Sequence, residues 1–362
     1  MRIEERLTAL RRKLADDDAP ALLVTTVSNL RYLTAFEGVI DSGINGACLV
    51  TADSARFYTD HRYAEAATVA ALDTPWEVRV QREDLYVEIC EDLAADDIEA
   101  LLVESAVAYG RFTFISEHLN GAVRSTDHYV EELRQIKDPG EIERIATAAE
   151  ITDAAFEHML EFLRPGLTER EIAFELEYHM RRSGSDGLAF DIIAAGGPNA
   201  ARPHAVPGDR VLAAGDLLIL DFGAKYADYR SDMTRTIVLG AATDEQRRLY
   251  DAVHAANAAG LGAVRAGVPC ADVDGAAREV LVSAGLGELF THGLGHGVGL
   301  DIHEMPTVGR RSHESLRAGM VVTVEPGVYA EGFGGVRIED LVVVEETGCR
   351  LLSHAPKQLI EI

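Results

Sequence analysis

Lysine is nearly absent from this chain. Of the 34 basic residues only Lys13, Lys137, Lys225 and Lys357 are lysines, and the rest are arginine. Acidic residues number 60, which leaves a formal net charge of -26. A chain this acidic repels phosphate, so nucleic acid and anionic membranes are excluded as partners. Acid excess spread along the chain, with little lysine, matches surfaces that stay hydrated in strong salt, where self-repulsion is screened. A halophilic protein is therefore expected, the plainer alternative being an ordinary acidic cytosolic protein from a GC-rich genome. Cysteine is also scarce. Cys48, Cys90, Cys270 and Cys349 stand far apart and form no CxxC, which argues against a disulfide framework or a cysteine zinc site and for reduced thiols in a cytoplasm. No apolar run approaches the ~20 residues that span a bilayer. The start, Met1-Arg2-Ile3-Glu4-Glu5-Arg6, reads as a charged amphipathic helix and not as a signal segment. A soluble, cytoplasmic protein is expected.

Two catalytic motifs are missing as well. There is no HExxH, the helical signature of many zinc proteases, and no GxxxxGK[ST] phosphate loop. What the chain does have is ample material for a core, with 47% hydrophobic residues, and a length of 362 that suits two or three domains.

Residues 1–18 read as a helix. Ala21–Val24, Ala47–Thr51, Arg56–Tyr58 and Ala100–Val103 read as strands, with helical patterns at 61–72 and 83–95. This alternation predicts an α/β domain over residues 1–125, and no catalytic constellation stands out within it. A linker over 126–138 ends at Lys137-Asp138-Pro139-Gly140, a stop signal before a long helix from about 140 to 163. The second domain, 139–362, repeats itself. Arg164-Pro165-Gly166-Leu167 recurs 101 residues later as Arg265-Ala266-Gly267-Val268. At the same offset Ile172 maps on Val273, Met180 on Leu281 and Gly184 on Gly285. Each copy reads helix, turn, helix, glycine stop, then strands that end in an acid-bearing hairpin.

The acids are where burial is costly. Asp221 closes the run Leu217-Leu218-Ile219-Leu220, and Glu325 closes Val321-Val322-Thr323-Val324. An ionised carboxylate at the end of an apolar strand must be paired, hydrogen-bonded or metal-bound. Asp221 and Asp232 are equidistant from a turn near Tyr226-Ala227, and Glu325 and Glu339 from one near Gly332. Regular antiparallel hairpins would set each acid opposite its partner, Cβ atoms ~5 Å apart, where like charges call for a cation. A fifth ligand, His296, lies in the run Thr291–Glu304, too glycine-rich for a stable helix; this loop also presents His292 and His303.

These residues carry a resemblance. Asp221-Phe222-Gly223, Ser231-Asp232, the Gly-His-Gly-Val-Gly-Leu run with His303-Glu304, Glu325-Pro326-Gly327 and Arg337-Ile338-Glu339-Asp340 resemble the pita-bread metallopeptidases. That superfamily includes methionine aminopeptidase, aminopeptidase P and prolidase. Ser28-Asn29-Leu30-Arg31-Tyr32-Leu33-Thr34 resembles the start of the prolidase and aminopeptidase P branch. The resemblance implies an α/β N-terminal domain followed by an α+β pita-bread domain with internal pseudo-twofold duplication. It also implies Asp221, Asp232, His296, Glu325 and Glu339 as ligands of two divalent metal ions.

Oxygen-rich ligation suits Mn²⁺ or Co²⁺ first, with Zn²⁺ or Fe²⁺ as alternatives. Two such ions hold a water between them and lower its pKa, supplying a bridging hydroxide at neutral pH. Glu325 is then the expected proton shuttle, with His303 and His204 stabilising the tetrahedral intermediate and the leaving nitrogen. His292 and Arg337 are expected to support ligands or substrate. The implied activity is a metal-dependent exopeptidase, a Xaa-Pro dipeptidase or an aminopeptidase P-like enzyme, acting on short proline-containing peptides. The alternatives are a metal-dependent small-molecule amidohydrolase of the same fold and a catalytically inactive peptide-binding domain. Some dipeptidases of the branch carry an arginine four residues beyond the histidine of the His-Glu pair. Here Thr307 stands at that place, with Arg310 and Arg311 further on, which leaves longer peptides open as substrates. A homodimer is expected, and the segment Phe36–Gly43 carries acids that could receive a substrate's α-amino group.

Overall fold

The computed structural model describes residues 3–41 and 43–362. Met1, Arg2 and Ser42 lie outside the described residues, and with them the first two positions of the expected first helix and one position of Phe36–Gly43. The chain divides into two compact units, Met1–Arg134 and Gln135–Ile362.

In the first unit α1 (Ile3–Asp16) precedes β1 (Ala21–Val24) and α2 (Val27–Thr34). There follow β2 (Gly46–Thr51), β3 (Ala55–Thr59), α3 (Ala64–Ala70), β4 (Glu77–Val80), α4 (Leu85–Ala95), β5 (Ala100–Glu104), α5 (Tyr109–His118), β6 (Ala122–Thr126) and α6 (Glu131–Arg134). The strands form one mixed sheet in the order β4-β3-β2-β1-β5-β6. Leu23, Leu49 and Leu101 of this sheet are buried together with Ile89 and Leu93 of α4 and Ile115 of α5. Of the acids in Phe36–Gly43, Glu37 and Asp41 are exposed, and Asp41 accepts a hydrogen bond from the Tyr63 hydroxyl at 3.0 Å.

The second unit is built twice. Its first half contains α7 (Pro139–Phe162), α8 (Glu169–Arg182), β7 (Gly187–Leu188), β8 (Ile193–Gly196), β9 (Leu217–Phe222), β10 (Ala224–Tyr226), β11 (Tyr229–Arg230) and β12 (Met233–Val238). Its second half contains α9 (Asp244–Ala263), α10 (Cys270–Ser283), β13 (Gly295–Gly297), β14 (Glu304–Val308), β15 (Val321–Val324), β16 (Gly327–Ala330), β17 (Gly334–Arg337), β18 (Asp340–Val344) and β19 (Cys349–Leu351). Each half packs its helix pair on its own strands. Phe156, Met159, Ile172 and Met180 meet Leu218, Leu220 and Ile237 in one core; Val253, Val273, Ala277 and Leu281 meet Val322, Val324 and Val342 in the other.

The 101-residue repeat is visible in the backbone. Gly166 and Gly267 take φ of 97° and 84°, and Gly184 and Gly285 take 101° and 72°, values that glycine adopts without the clash a Cβ brings. The Gly166 amide donates to the Leu212 carbonyl at 2.9 Å, and the Gly267 amide to that of Leu316 at 2.8 Å. The long helix begins at the expected stop signal, because Asp138 and Glu141 form a capping box around Pro139.

Candidate metal centre

The two acid-bearing hairpins differ in how well their register could be counted. In the second, Val324 pairs with Asp340 and Gly327 with Arg337, so Glu325 and Glu339 face each other across the gap between these ladders, as expected. In the first, Asp221 pairs with Thr234 and not with Asp232. The turn is a two-residue one at Ala227-Asp228, both at positive φ (45° and 69°), because Tyr226 and Tyr229 still pair across it. That is the twist a tight hairpin prefers, and it moves the partner of Asp221 by two residues. Parity is preserved, so Asp232 stays on the same face as a diagonal neighbour.

Backbone contacts bind the two hairpins together. The Glu339 amide donates to the Thr234 carbonyl at 3.1 Å, and the Arg337 amide donates to Thr236 Oγ1 at 3.0 Å. Fully buried Arg235 donates to Asp340 Oδ1 at 3.1 Å and to the carbonyls of Thr234 and Glu339. Asp221, Asp232 and Glu339 are all buried.

His296 on β13 reaches this cluster. Its Nε2 lies 3.6 Å from Asp232 Oδ2 and 3.5 Å from Glu325 Oε1. Its amide donates to Thr323 Oγ1 at 3.0 Å, and its Nδ1 lies 3.0 Å from the Gly297 carbonyl. An Nδ1–H donating there leaves the Nε2 lone pair aimed at the carboxylates. Ligand atoms of Asp232, His296 and Glu339 all fall within 4.8 Å of one another.

Without a cation the charges cannot all be held. Burial, with repulsion from Glu339, Asp221 and Glu325, pushes the Asp232 carboxyl well above its usual range. Burial, with Glu325 and Asp221, does the same to Glu339. Burial raises Glu325 to about 8, and burial lowers His296 to about 4. Asp221 Oδ2 accepts from Arg337, but Oδ1 is buried without a hydrogen-bond partner. An orphaned buried acceptor costs about 1–3 kcal/mol. Four crowded carboxylates, one neutral imidazole and that orphan form a donor set that fits divalent cations of hard or borderline character.

The other predicted residues surround the cluster. Arg337 is 3% exposed and donates to Thr234 Oγ1 at 3.0 Å and to the Tyr329 hydroxyl at 2.8 Å. The Tyr329 hydroxyl lies 3.0 Å from His292 Nε2, and His292 Nδ1 lies 2.7 Å from the Gly293 carbonyl. A single polarised chain thus runs from Arg337 through Tyr329 to His292, whose imidazole burial holds neutral by lowering its pKa to about 4. His303 is exposed with its ring edge-on to His296, centroids 4.4 Å apart. Its pKa is lowered by partial burial and then by the charge of His204. His204 is exposed on the loop after the 3₁₀ turn Gly197–Ala201. Thr307 stands directly across the ladder from His296. Arg310 and Arg311 are exposed.

Three participants were not singled out from the sequence: Tyr329, Thr234 and Thr323. The two threonines carry a signal in hindsight. Thr323 precedes Glu325 by two and interrupts the apolar run Val321–Val324, and Thr234 follows Asp232 by two, so each falls on the face that bears the acid. Thr234 Oγ1 donates to Glu339 Oε2 at 2.6 Å.

Two family models match the chain. Residues 6–136 match the creatinase/prolidase N-terminal domain, and residues 143–346 match metallopeptidase family M24. This chain belongs to metallopeptidase family M24. Its fold is the pita-bread fold of that family behind a creatinase/prolidase N-terminal domain. Among relatives of this M24 chain, a Xaa-Pro dipeptidase of Pyrococcus furiosus is 35% identical over 360 residues, covering 99% of this chain and 100% of that one. The solved structure of a Xaa-Pro dipeptidase from Bacillus anthracis superposes with a TM-score of 0.96 at 37% identity, each chain covered in full. That of an X-Pro aminopeptidase from Thermotoga maritima gives 0.88 at 34% identity, covering 98% and 99%.

Proposed function

We propose that this M24 chain is a metal-dependent exopeptidase that hydrolyses Xaa-Pro bonds in short peptides, with Asp221, Asp232, His296, Glu325 and Glu339 holding two divalent cations. One observation carries the reading: four carboxylates and a neutral imidazole crowd together, with Asp221 Oδ1 left unpartnered. The substrate class is supported by relatives named for Xaa-Pro cleavage that align along nearly the whole chain. Two bound divalent cations would acidify a water to supply the nucleophile at neutral pH and polarise the scissile carbonyl.

The chain's own residues do the rest. Glu325 takes a proton from the attacking water and returns it to the departing proline nitrogen, which has no N–H of its own in the peptide. His303 and His204, outside the carboxylate cluster, donate hydrogen bonds to the developing oxyanion and steady the leaving group. Arg337 compensates Asp221 and, through Tyr329 and His292, fixes the wall of the site. Thr307 opposite His296 provides no cation for a dipeptide's C-terminal carboxylate, which favours acceptance of longer peptides alongside dipeptides.

Further parts of the reading rest on composition and ligand type. Mn²⁺ or Co²⁺ is taken as the metal, ahead of Zn²⁺ and Fe²⁺. Reduced cysteines fit a cytoplasmic location; among the described residues no helix is long and apolar enough to cross a membrane. A homodimer is the commonest soluble assembly and is checked by light scattering. The main experiment loads purified protein with Mn²⁺ or Co²⁺, measures metal content, and assays Xaa-Pro dipeptides and tripeptides against Xaa-Ala controls. Protein that holds metal yet leaves every Xaa-Pro bond intact overturns the reading.

A further inference from the structure

His204, His292 and His303 of this site stand on segments outside the regular strands and helices, and His296 on the three-residue strand β13. Catalysis requires such groups to be held to within a fraction of an ångström. Each half of the second unit has a fully buried carboxylate on its second helix, outside the metal set, that grips one of these segments.

In the first half the carboxylate is Glu169, at the start of α8 and 0% exposed. Its Oε1 accepts the Gly196 amide at 2.9 Å and its Oε2 the Gly208 amide at 3.1 Å. Between them the Asn199 amide group donates to both oxygens, at 3.0 and 3.2 Å. One side chain therefore closes the segment from Gly196 to Gly208 into a loop, and His204 lies within that loop. The positive end of α8 favours a buried anion at this place.

In the second half the carboxylate is Asp274 on α10, also 0% exposed. Its Oδ1 accepts the Leu294 amide at 3.1 Å. Both its oxygens accept from Arg278, at 2.8 and 2.9 Å. Arg278 in turn donates to the carbonyls of Phe290 at 3.0 Å and His292 at 2.8 Å. The pair thus holds alternate residues 290, 292 and 294 of the segment that leads to His296. Under the 101-residue repeat Glu169 corresponds to Cys270, whose amide pairs with Glu314 as the amide of Glu169 pairs with Arg210. The two halves therefore hold their segments from different turns of equivalent helices.

We propose that Glu169 and Asp274 are positioning residues of the active site, Glu169 setting His204 and Asp274, through Arg278, setting His292 and His296. The catalytic role of His204 rests on the proposed function; the anchoring of the loops does not. All of these donors are N–H groups, which acceptor oxygens must meet. Glutamine at 169 keeps the volume but turns an N–H₂ toward a backbone N–H, which releases one end of the loop without opening a cavity.

The test compares wild type with Glu169→Gln, His204→Ala, their double variant and Asp274→Asn. Amide hydrogen exchange, Mn²⁺ titration calorimetry and turnover of an Xaa-Pro dipeptide are followed. Glu169→Gln should speed exchange selectively over residues 196–208 and leave Mn²⁺ affinity unchanged. It should lower kcat by about 10-fold or more, the scale of a small misplacement. Added to His204→Ala it should cost nothing more, because the group it positions is already gone. Asp274→Asn should speed exchange over 290–296 and weaken Mn²⁺ binding by about 10–100-fold, the scale of losing the support of a ligand. Multiplicative losses in the double variant, or exchange that rises evenly over the whole unit, would show a merely structural role and overturn the proposal. If either variant fails to fold, Asn199→Ala and Arg278→Lys, which weaken the same grips, carry the same readouts. Wild-type protein without peptidase activity would refute the proposed function, while local exchange and Mn²⁺ affinity would still decide the anchoring.

Discussion

The Lys137 ammonium lies 3.0 Å from Glu304 Oε2, with both side chains nearly sealed from water at 2% and 6% exposure. Glu304 follows His303 directly, and its other oxygen accepts the Asp301 amide at 3.0 Å. One of the chain's four lysines is thus spent inside the molecule, fixing the stretch that presents His303. Removing one partner of a buried pair strands the other charge at a cost of about 3–5 kcal/mol. Lys137→Met should lose stability on that scale in urea unfolding, and adding Glu304→Gln should recover part of it. A loss under about 1 kcal/mol in the single variant would show that the pair contributes little.

Asp232 and Glu339 share with His296 the tightest part of the cluster. Asp232→Ala and Glu339→Ala should each abolish turnover and reduce bound metal. Because these acids are destabilised when no cation is present, Asp232→Asn should leave the metal-free protein as stable as wild type or more so. Variants with wild-type metal content and activity would refute the ligand assignment.

His303 lies beside His296 without belonging to the close carboxylate group. His303→Ala is expected to lower kcat by about 10²-fold, the scale of one lost transition-state donor, with metal still bound. Metal loss, or an unchanged kcat, would recast His303 as a ligand or a bystander.

Metal removal should make stability fall with rising pH. Glu325 ordinarily titrates near 4.5 and is raised to about 8 in the fold. A raised carboxyl favours the folded state fully below its unfolded value, and this contribution disappears as pH climbs through the folded one. Asp232 and Glu339 are shifted the same way. His292 and His296, lowered from 6.5 to about 4, act oppositely: their contribution is complete above 6.5 and is lost as pH falls toward 4. Between pH 6.5 and 8 only the carboxyls are active, so the melting point of chelator-treated protein should drop across that window. Adding Mn²⁺, which binds the ionised ligands, should raise the midpoint more at pH 8 than at pH 6.5. A metal-free midpoint that rises from 6.5 to 8 would contradict the crowded cluster.

The net charge of -26 implies self-repulsion that salt screens. Thermal midpoints should climb from low to molar KCl, with activity retained at the high end. A flat or falling series would remove the halophilic reading and leave the site untouched.

What the sequence by itself determined were features set by local chemistry. An acid at the end of an apolar run must be compensated wherever the strand goes, so Asp221 and Glu325 were legible. A glycine that must take positive φ after a helix is legible too, and four of them, at 166, 184, 267 and 285, revealed the duplication. The second hairpin could be counted because its loop is centred on Gly332. The first could not, because its turn places Ala227 at positive φ, a conformation alanine does not advertise. Only the tertiary structure decided that Thr234, and not Asp232, stands opposite Asp221. It alone showed that Tyr329 joins Arg337 to His292, and that Glu169, Asp274 and Glu304 are sealed from water. In sequence Glu169 and Asp274 look like ordinary surface acids and Tyr329 like any strand tyrosine, while Glu304 is legible as part of a motif but not as a buried group. Their importance comes from burial, which turns an ordinary carboxylate into a group that must find every one of its donors, and burial is set by how distant segments pack.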